Sequence, residues 1–407
     1  MTEEAACVTV RDSNEAEPFR STARWLLAGV IALILYGSLF PFEFDTPSGR
    51  TILQIAEALA FKRASRGDIV ANLLLYMPLG LCMALALPRR LHALVVLILT
   101  VAAGVLLSLG VEMAQTLEST RVASLTDVLL NAAGTGIGCA VALIYRGLGT
   151  HLHIPGLAER RPAPVPLGFL LLWLSYRLAP FVPAFGWQKI KDSLSPVFVD
   201  PTLDGFAAFR FLIGWLVVAY AVRRMWHREY ALAALLAVAA GTQLGRVLIV
   251  GKAVSPAELV ALAALFALLP LMRRLPEPRR LLLLSFALIA IVVVQGLEPW
   301  HFDTEAHAFS WVPFKNSLSD SLEINIGVLI EKCFWYASLV WLLAQRSGAL
   351  WTGAAGVALL VGAIEFVQMW LPGRSAEITD PLLVLAAAGL LYLIGVDERW
   401  RRPARAR

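Results

Sequence analysis

Twelve apolar stretches in this chain approach or reach the length of a membrane span, and segments bearing arginine or lysine separate them. A helix of about 20 apolar residues crosses the ~30 Å hydrocarbon core of a bilayer. The stretches lie near 24–40, 68–87, 92–114, 125–145, 167–182, 206–223, 229–250, 256–272, 281–297, 324–343, 349–370 and 378–395. With 58% hydrophobic residues, 16% charged ones and a mean hydropathy of +0.69, the chain cannot be solvated like an ordinary soluble domain. The expected fold is all-α, a polytopic transmembrane helical bundle of about twelve spans.

Across these stretches a polar constellation is written three times. Glu112, Gln115, Arg121 and Asp127 form the first copy. Gln243, Arg246, Lys252 and Glu258 stand 131 residues further on, and Glu365, Gln368, Arg374 and Asp380 stand 253 further on, without a gap. An ionisable group in a lipid-embedded helix costs roughly 2.5–3.5 kcal/mol on insertion scales, so its recurrence needs a physical reason. The repetition predicts three groups of four helices. A polar cytoplasmic tail, 1–23, precedes repeats at 24–146, 147–275 and 276–396, and a basic cytoplasmic tail, 397–407, follows. Asn72 maps onto Asn325 at the same 253-residue offset, whereas the 131-residue offset puts Leu203 in the middle group. That group is the most altered, with Gln243 and Arg246 in place of the glutamate and glutamine.

Side preference follows from the basic residues. The tails and even-numbered loops hold 21 arginines, against 10 arginines and lysines in the odd-numbered loops. Both termini are therefore expected in the cytoplasm and each constellation at the outer helix ends, in a bacterial inner membrane. The polar first ~20 residues lack a signal-peptide pattern and read as a disordered tail. A stretch at 51–61 reads as an amphipathic interfacial segment. Cys7, Cys82, Cys139 and Cys333 lie far apart, so neither a disulfide framework nor a cofactor or metal motif is expected. The net charge of +5 sits in membrane-orienting clusters and does not indicate nucleic acid.

The residues Pro41, Phe42 and Phe44, then Asn72, Pro78 and Gly80, then Glu112 and Gln115, then Arg121, Asp127, Asn131, Gly134 and Gly138 resemble the VanZ-like membrane protein family. The resemblance covers 31–145 well and 291–395 partly, the latter with Glu331 and Cys333 where Pro78 and Gly80 have their counterparts. It implies a cell-envelope membrane protein, in a family named for a member linked to resistance to a glycopeptide antibiotic.

Chemistry is carried by acids and amides that share helix faces. Glu112 with Gln115, and Glu365 with Gln368, are three apart; Asp68 with Asn72, and Asp127 with Asn131, are four apart. With Arg121 and Arg374 they can hold a lipid or lipid-linked glycan headgroup, such as a cell-wall precursor, by charge-assisted hydrogen bonds. An integral-membrane enzyme with Glu112 or Asp127 as general acid or base is the alternative, and a structural scaffold is a third reading. The plainer roles are specific too. Ser255, Pro256 and Glu258 spell a capping box, Ser124 and Asp127 fit the same template, and Asp380 precedes Pro381 as a cap does. Interhelical bonding is the plainer role of the glutamates and glutamines, and Gly134 with Gly138 reads as a close-packing face. Glu331 and Lys332 are expected to pair with neighbours rather than with each other.

Overall fold

A computed structural model describes residues 3–40, 42, 44, 61, 64, 66–117, 124–151, 163–199, 201–315, 322–395, 398 and 400, without the side chains of 3–20, 66, 148–151 and 322–326. Thirteen helices are described, in two compact units divided after Leu152. The first unit holds α1 (Glu3–Leu39), α2 (Arg66–Ala86), α3 (Ala93–Gln115) and α4 (Leu125–His151). The second begins with α5 (Pro164–Leu178), α6 (Trp187–Phe198), α7 (Gly205–Met225), α8 (Ala231–Leu248) and α9 (Pro256–Arg274). It ends with α10 (Glu277–Leu297), α11 (Leu322–Ser347), α12 (Leu350–Gln368) and α13 (Thr379–Ile394). Ten of these helices contain stretches long and apolar enough to span a bilayer, and the shorter apolar helices α5 and α13 fall on the two remaining expected stretches. The chain is a multi-pass, all-α membrane protein.

Punctuation in the sequence sets the helix ends. Asp204 caps α7 by accepting from the Phe206 and Ala207 amides at 2.9 and 3.1 Å. Proline occupies the first turn of α5, α9 and α10, where its missing N–H costs nothing. Gly348 takes φ +71 between α11 and α12, the left-handed conformation that closes a helix cheaply only for glycine.

Two features depart from the sequence expectation. Residues 3–20, expected as a disordered tail, continue α1 toward the N-terminus; their alanines, glutamates and arginines are good helix formers. α6 was not expected as a separate helix. Its Ser193, 1% exposed, accepts the Val254 amide on its carbonyl at 2.9 Å, while Trp187 and Phe198 stand 69% and 77% exposed. That split is the pattern of a helix lying along an interface. Lys189 joins α6 to the loop between α8 and α9 by donating to the Lys252 carbonyl at 2.5 Å. The expected interfacial stretch at 51–61 lies, except for Phe61, outside the described residues.

The second unit packs around large aromatic side chains, with Trp173, Trp215 and Trp341 fully buried and Phe169 stacked on Trp341 at 4.4 Å. The first unit relies on close backbone approach. A Cβ on Gly80 would lie 1.9 Å from the Thr135 carbonyl oxygen, and one on Gly138 would lie 2.0 Å from that of Met77. The face read from Gly134 and Gly138 is therefore the seam between α2 and α4.

Gly138→Ala is expected to destabilise the first unit by about 1–3 kcal/mol through overpacking, whereas Gly110→Ala meets nothing within 4 Å. Melting of the detergent-solubilised protein checks this; an unchanged transition for Gly138→Ala contradicts the seam.

Candidate functional site

The last carbonyls of a helix have no partner inside it, and near hydrocarbon they cannot be left bare. The glutamines of the constellation meet that need. Gln115 donates to the Ser38 carbonyl, at the end of α1, at 2.8 Å, and Gln368 donates to the Gly296 carbonyl, at the end of α10, also at 2.8 Å. The glutamates three residues earlier each fix the loop that follows. Glu112 accepts the Ser124 amide at 2.7 Å and Glu365 accepts the Glu377 amide at 2.9 Å, in both cases 12 residues ahead.

At α10 the accounting is complete. The Gln295 carbonyl receives Arg374 at 2.8 Å, the Glu298 carbonyl receives Arg374 at 2.9 Å, the Val294 carbonyl receives the Glu298 amide and the Leu297 carbonyl receives the Trp300 amide. The aromatic residue in that last turn recurs with the same backbone. Phe42, Phe181 and Trp300 have φ between 61 and 66 and donate to Leu39, Leu178 and Leu297 respectively. The sequence spells this as leucine, any residue, proline, aromatic at 39–42, 178–181 and 297–300, a signal that sequence reasoning missed in the middle group.

The middle copy is an internal ion pair. Glu258, 0% exposed, takes a two-pronged contact from Arg177 at 3.2 and 2.6 Å, a bond from the Trp215 indole at 3.3 Å and a second cation, Arg246, at 3.5 Å. Phe211 lies 4.3 Å under the Arg177 guanidinium. This corrects the capping-box reading. Ser255 is the N-cap residue and Pro256 opens α9, but the Ser255 side chain makes no cap bond, because the Glu258 carboxylate is drawn to buried arginines. Lys252 lies in the preceding loop, where burial, with Arg246 and Arg177 nearby, pushes its ammonium below the usual lysine range.

The third copy opens onto space. Asp380 accepts from Lys332 at 2.8 Å and from the Tyr336 hydroxyl at 2.6 Å, so it too binds side chains from another helix rather than capping its own. Glu365 neighbours Asp380. One helical step away, Glu331 pairs with Arg210 at 3.1 Å and accepts from Trp335 at 3.2 Å and Gln295 at 3.5 Å. Glu331, Lys332, Tyr336, Glu365, Gln368, Arg374 and Asp380 line a cavity of about 280 Å³ among α10, α11, α12 and α13. Glu331 and Lys332 do pair with neighbours, as the sequence suggested. Tyr336, Gln295 and Arg210 were missed, since none belongs to the recurring constellation.

In the first unit, Asn72 donates to Asp127 at 3.0 Å and Asn131 donates to Ser108 at 2.9 Å, linking α2 with α4 and α4 with α3. Asp127 is thus engaged across helices, although its place in the first turn of α4 fits the cap template. Asp68 sits in the first turn of α2, where a carboxylate suits the helix dipole. Arg121 and the side chain of Asn325 lie outside the described residues. Among the described residues no group of His, Cys, Asp and Glu is arranged to hold a metal.

Residues 15–146, within the first unit, match the VanZ/LLP1 family model, so this part of an all-α multi-pass membrane protein is similar to the VanZ-like family. No curated protein and no solved structure matches the chain.

Glu258→Ala strands Arg177 without its acid and is expected to cost about 3–5 kcal/mol, read as a lowered melting temperature. Replacing Glu258 together with both of its cations, Arg177 and Arg246, by methionine is expected to restore most of that loss; no loss in the single variant contradicts the internal pair.

Proposed function

We propose that the protein binds, shields or moves the polar headgroup of a lipid or lipid-linked glycan, of the kind a cell-wall precursor carries, in the cavity of the second unit. The observation that carries this reading is the exposure of its charges. The Arg177 and Glu258 side chains are 6% and 0% exposed, whereas Lys332 and Glu331, which line the cavity, are 37% and 22% exposed. A sealed pair satisfies only itself. A pair bordering a cavity of about 280 Å³ can exchange part of its contact for a ligand's phosphate or hydroxyl groups.

In this reading Lys332 and Arg374 face the anionic part of the headgroup, and Glu331, Glu365, Gln368 and Asp380 accept from hydroxyls. Asn325, Asp68, Asn72, Glu112, Gln115, Arg121, Asp127 and Asn131 are the further candidates, carried over from the recurring pattern. The arginine and lysine distribution supports an outward-facing cavity, with both termini in the cytoplasm of a bacterial cell. The three recurrences of pattern and turn support an origin in three four-helix repeats. A second reading, an acid-base enzyme on the same substrate class, is favoured by the neighbouring carboxyl groups of Glu365 and Asp380 with Tyr336 beside them.

Lys332→Met with Asp380→Asn removes both charges and leaves neither partner stranded. Titration of purified protein in nanodiscs with a polyprenyl-pyrophosphate-linked saccharide is expected to show binding weakened about tenfold or more, the worth of one charge-assisted bond. Unchanged affinity in a folded double variant overturns the site. Product formation by the wild type that Glu365→Gln abolishes would favour the enzyme. Altered melting with unaltered binding would leave a scaffold.

A further inference from the structure

The second unit has another recess, at the ends of α7 and α9 and the starts of α8 and α10, and none of its lining residues lines the polar cavity. Arg223, Arg228, Arg273 and Arg280 line it, and below them its walls are apolar, including Leu232, Leu235 and Leu284. None of the four arginines forms an ion pair among the described residues, and the Arg280 Nε is buried without a hydrogen-bond partner. Arg223 feels the like charges of the other three, against one acid, Glu277, which also takes the Tyr220 hydroxyl at 3.0 Å. Arg224, next in sequence, is already committed, donating to Gln345 and Glu398 at 2.9 Å each. The recess thus keeps an excess of positive charge over an apolar floor.

We propose that this recess binds the phosphate headgroup of an anionic phospholipid, with an acyl chain lying against the leucines beneath it. The physical ground is complementarity along one short axis. Guanidinium groups form forked bonds to phosphate oxygens, and a bare arginine cluster beside hydrocarbon gains most from an anion that brings its own apolar tail. The arginines belong to the even-numbered loops, where juxtamembrane basic residues meet anionic lipid of the cytoplasmic leaflet. The site is independent of the headgroup cavity proposed above.

The test is native mass spectrometry of the full chain released from membranes containing phosphatidylglycerol and phosphatidylethanolamine in equal amounts, compared with Arg223→Gln/Arg280→Gln. Wild type is expected to retain phosphatidylglycerol preferentially, and the variant is expected to lose at least a few-fold of that preference. Equal retention by the two proteins overturns the proposal. As a measurement independent of the variant's folding, phosphatidylglycerol added to delipidated wild type is expected to raise its melting temperature, with phosphatidylethanolamine giving no rise. Inorganic phosphate reproducing the effect in full would identify a free-anion site and overturn the lipid assignment.

Discussion

Hydrocarbon does not tolerate an uncompensated charge, and in the second unit that constraint organises the interior. Four of the cations on its helices, Arg177, Arg210, Arg246 and Lys332, each face an acid on another helix. Arg177 and Arg246 converge on Glu258, Arg210 meets Glu331 and Lys332 meets Asp380. These contacts join α5, α8 and α9, then α7 and α11, then α11 and α13, so charge neutralisation is also helix pairing. Removing one partner is costlier than never having had the pair, which ties the helices' relative placement to the polar residues as firmly as to the tryptophan core.

The same accounting divides the constellation into structural and reactive parts. Its glutamate and glutamine each give one polar atom to a backbone group, closing a loop and the end of the first helix of the group, and in the third copy both residues still line the cavity. What remains free to meet a ligand depends on burial. Around Glu258 nothing is reachable, whereas around Glu331 and Lys332 the charges border the cavity. The middle copy carries charge without an opening. The third copy has Glu331 and Lys332 where the first has Pro78 and Leu79, and there the polar cavity lies.

Sequence periodicity made the spans legible, because a run of about 20 apolar residues has few other uses. The offsets of 131 and 253 also picked out polar residues that bond across helices or fix the following loop. Their partners were not legible. Glu258 with Ser255 has the spacing of a capping box, and only packing shows Arg177, 81 residues away, outcompeting the local bond. Lys332 and Tyr336 gave no signal in a repeat comparison, since they are what the third group does not share. α6 was hidden because a short amphipathic helix reads like a polar loop when only long apolar runs are sought.

Headgroup binding as proposed requires the cavity beside Lys332 to be open to water on the outer side of the membrane. Val328, one turn before Lys332, lines it. In a background with the four native cysteines replaced, Val328→Cys is the direct probe, using a membrane-impermeant cationic methanethiosulfonate applied to intact spheroplasts. Modification from outside, slowed by a lipid-linked saccharide, is the predicted result. A thiol that stays unreactive, or that reacts only when reagent reaches the cytoplasmic face, would contradict it.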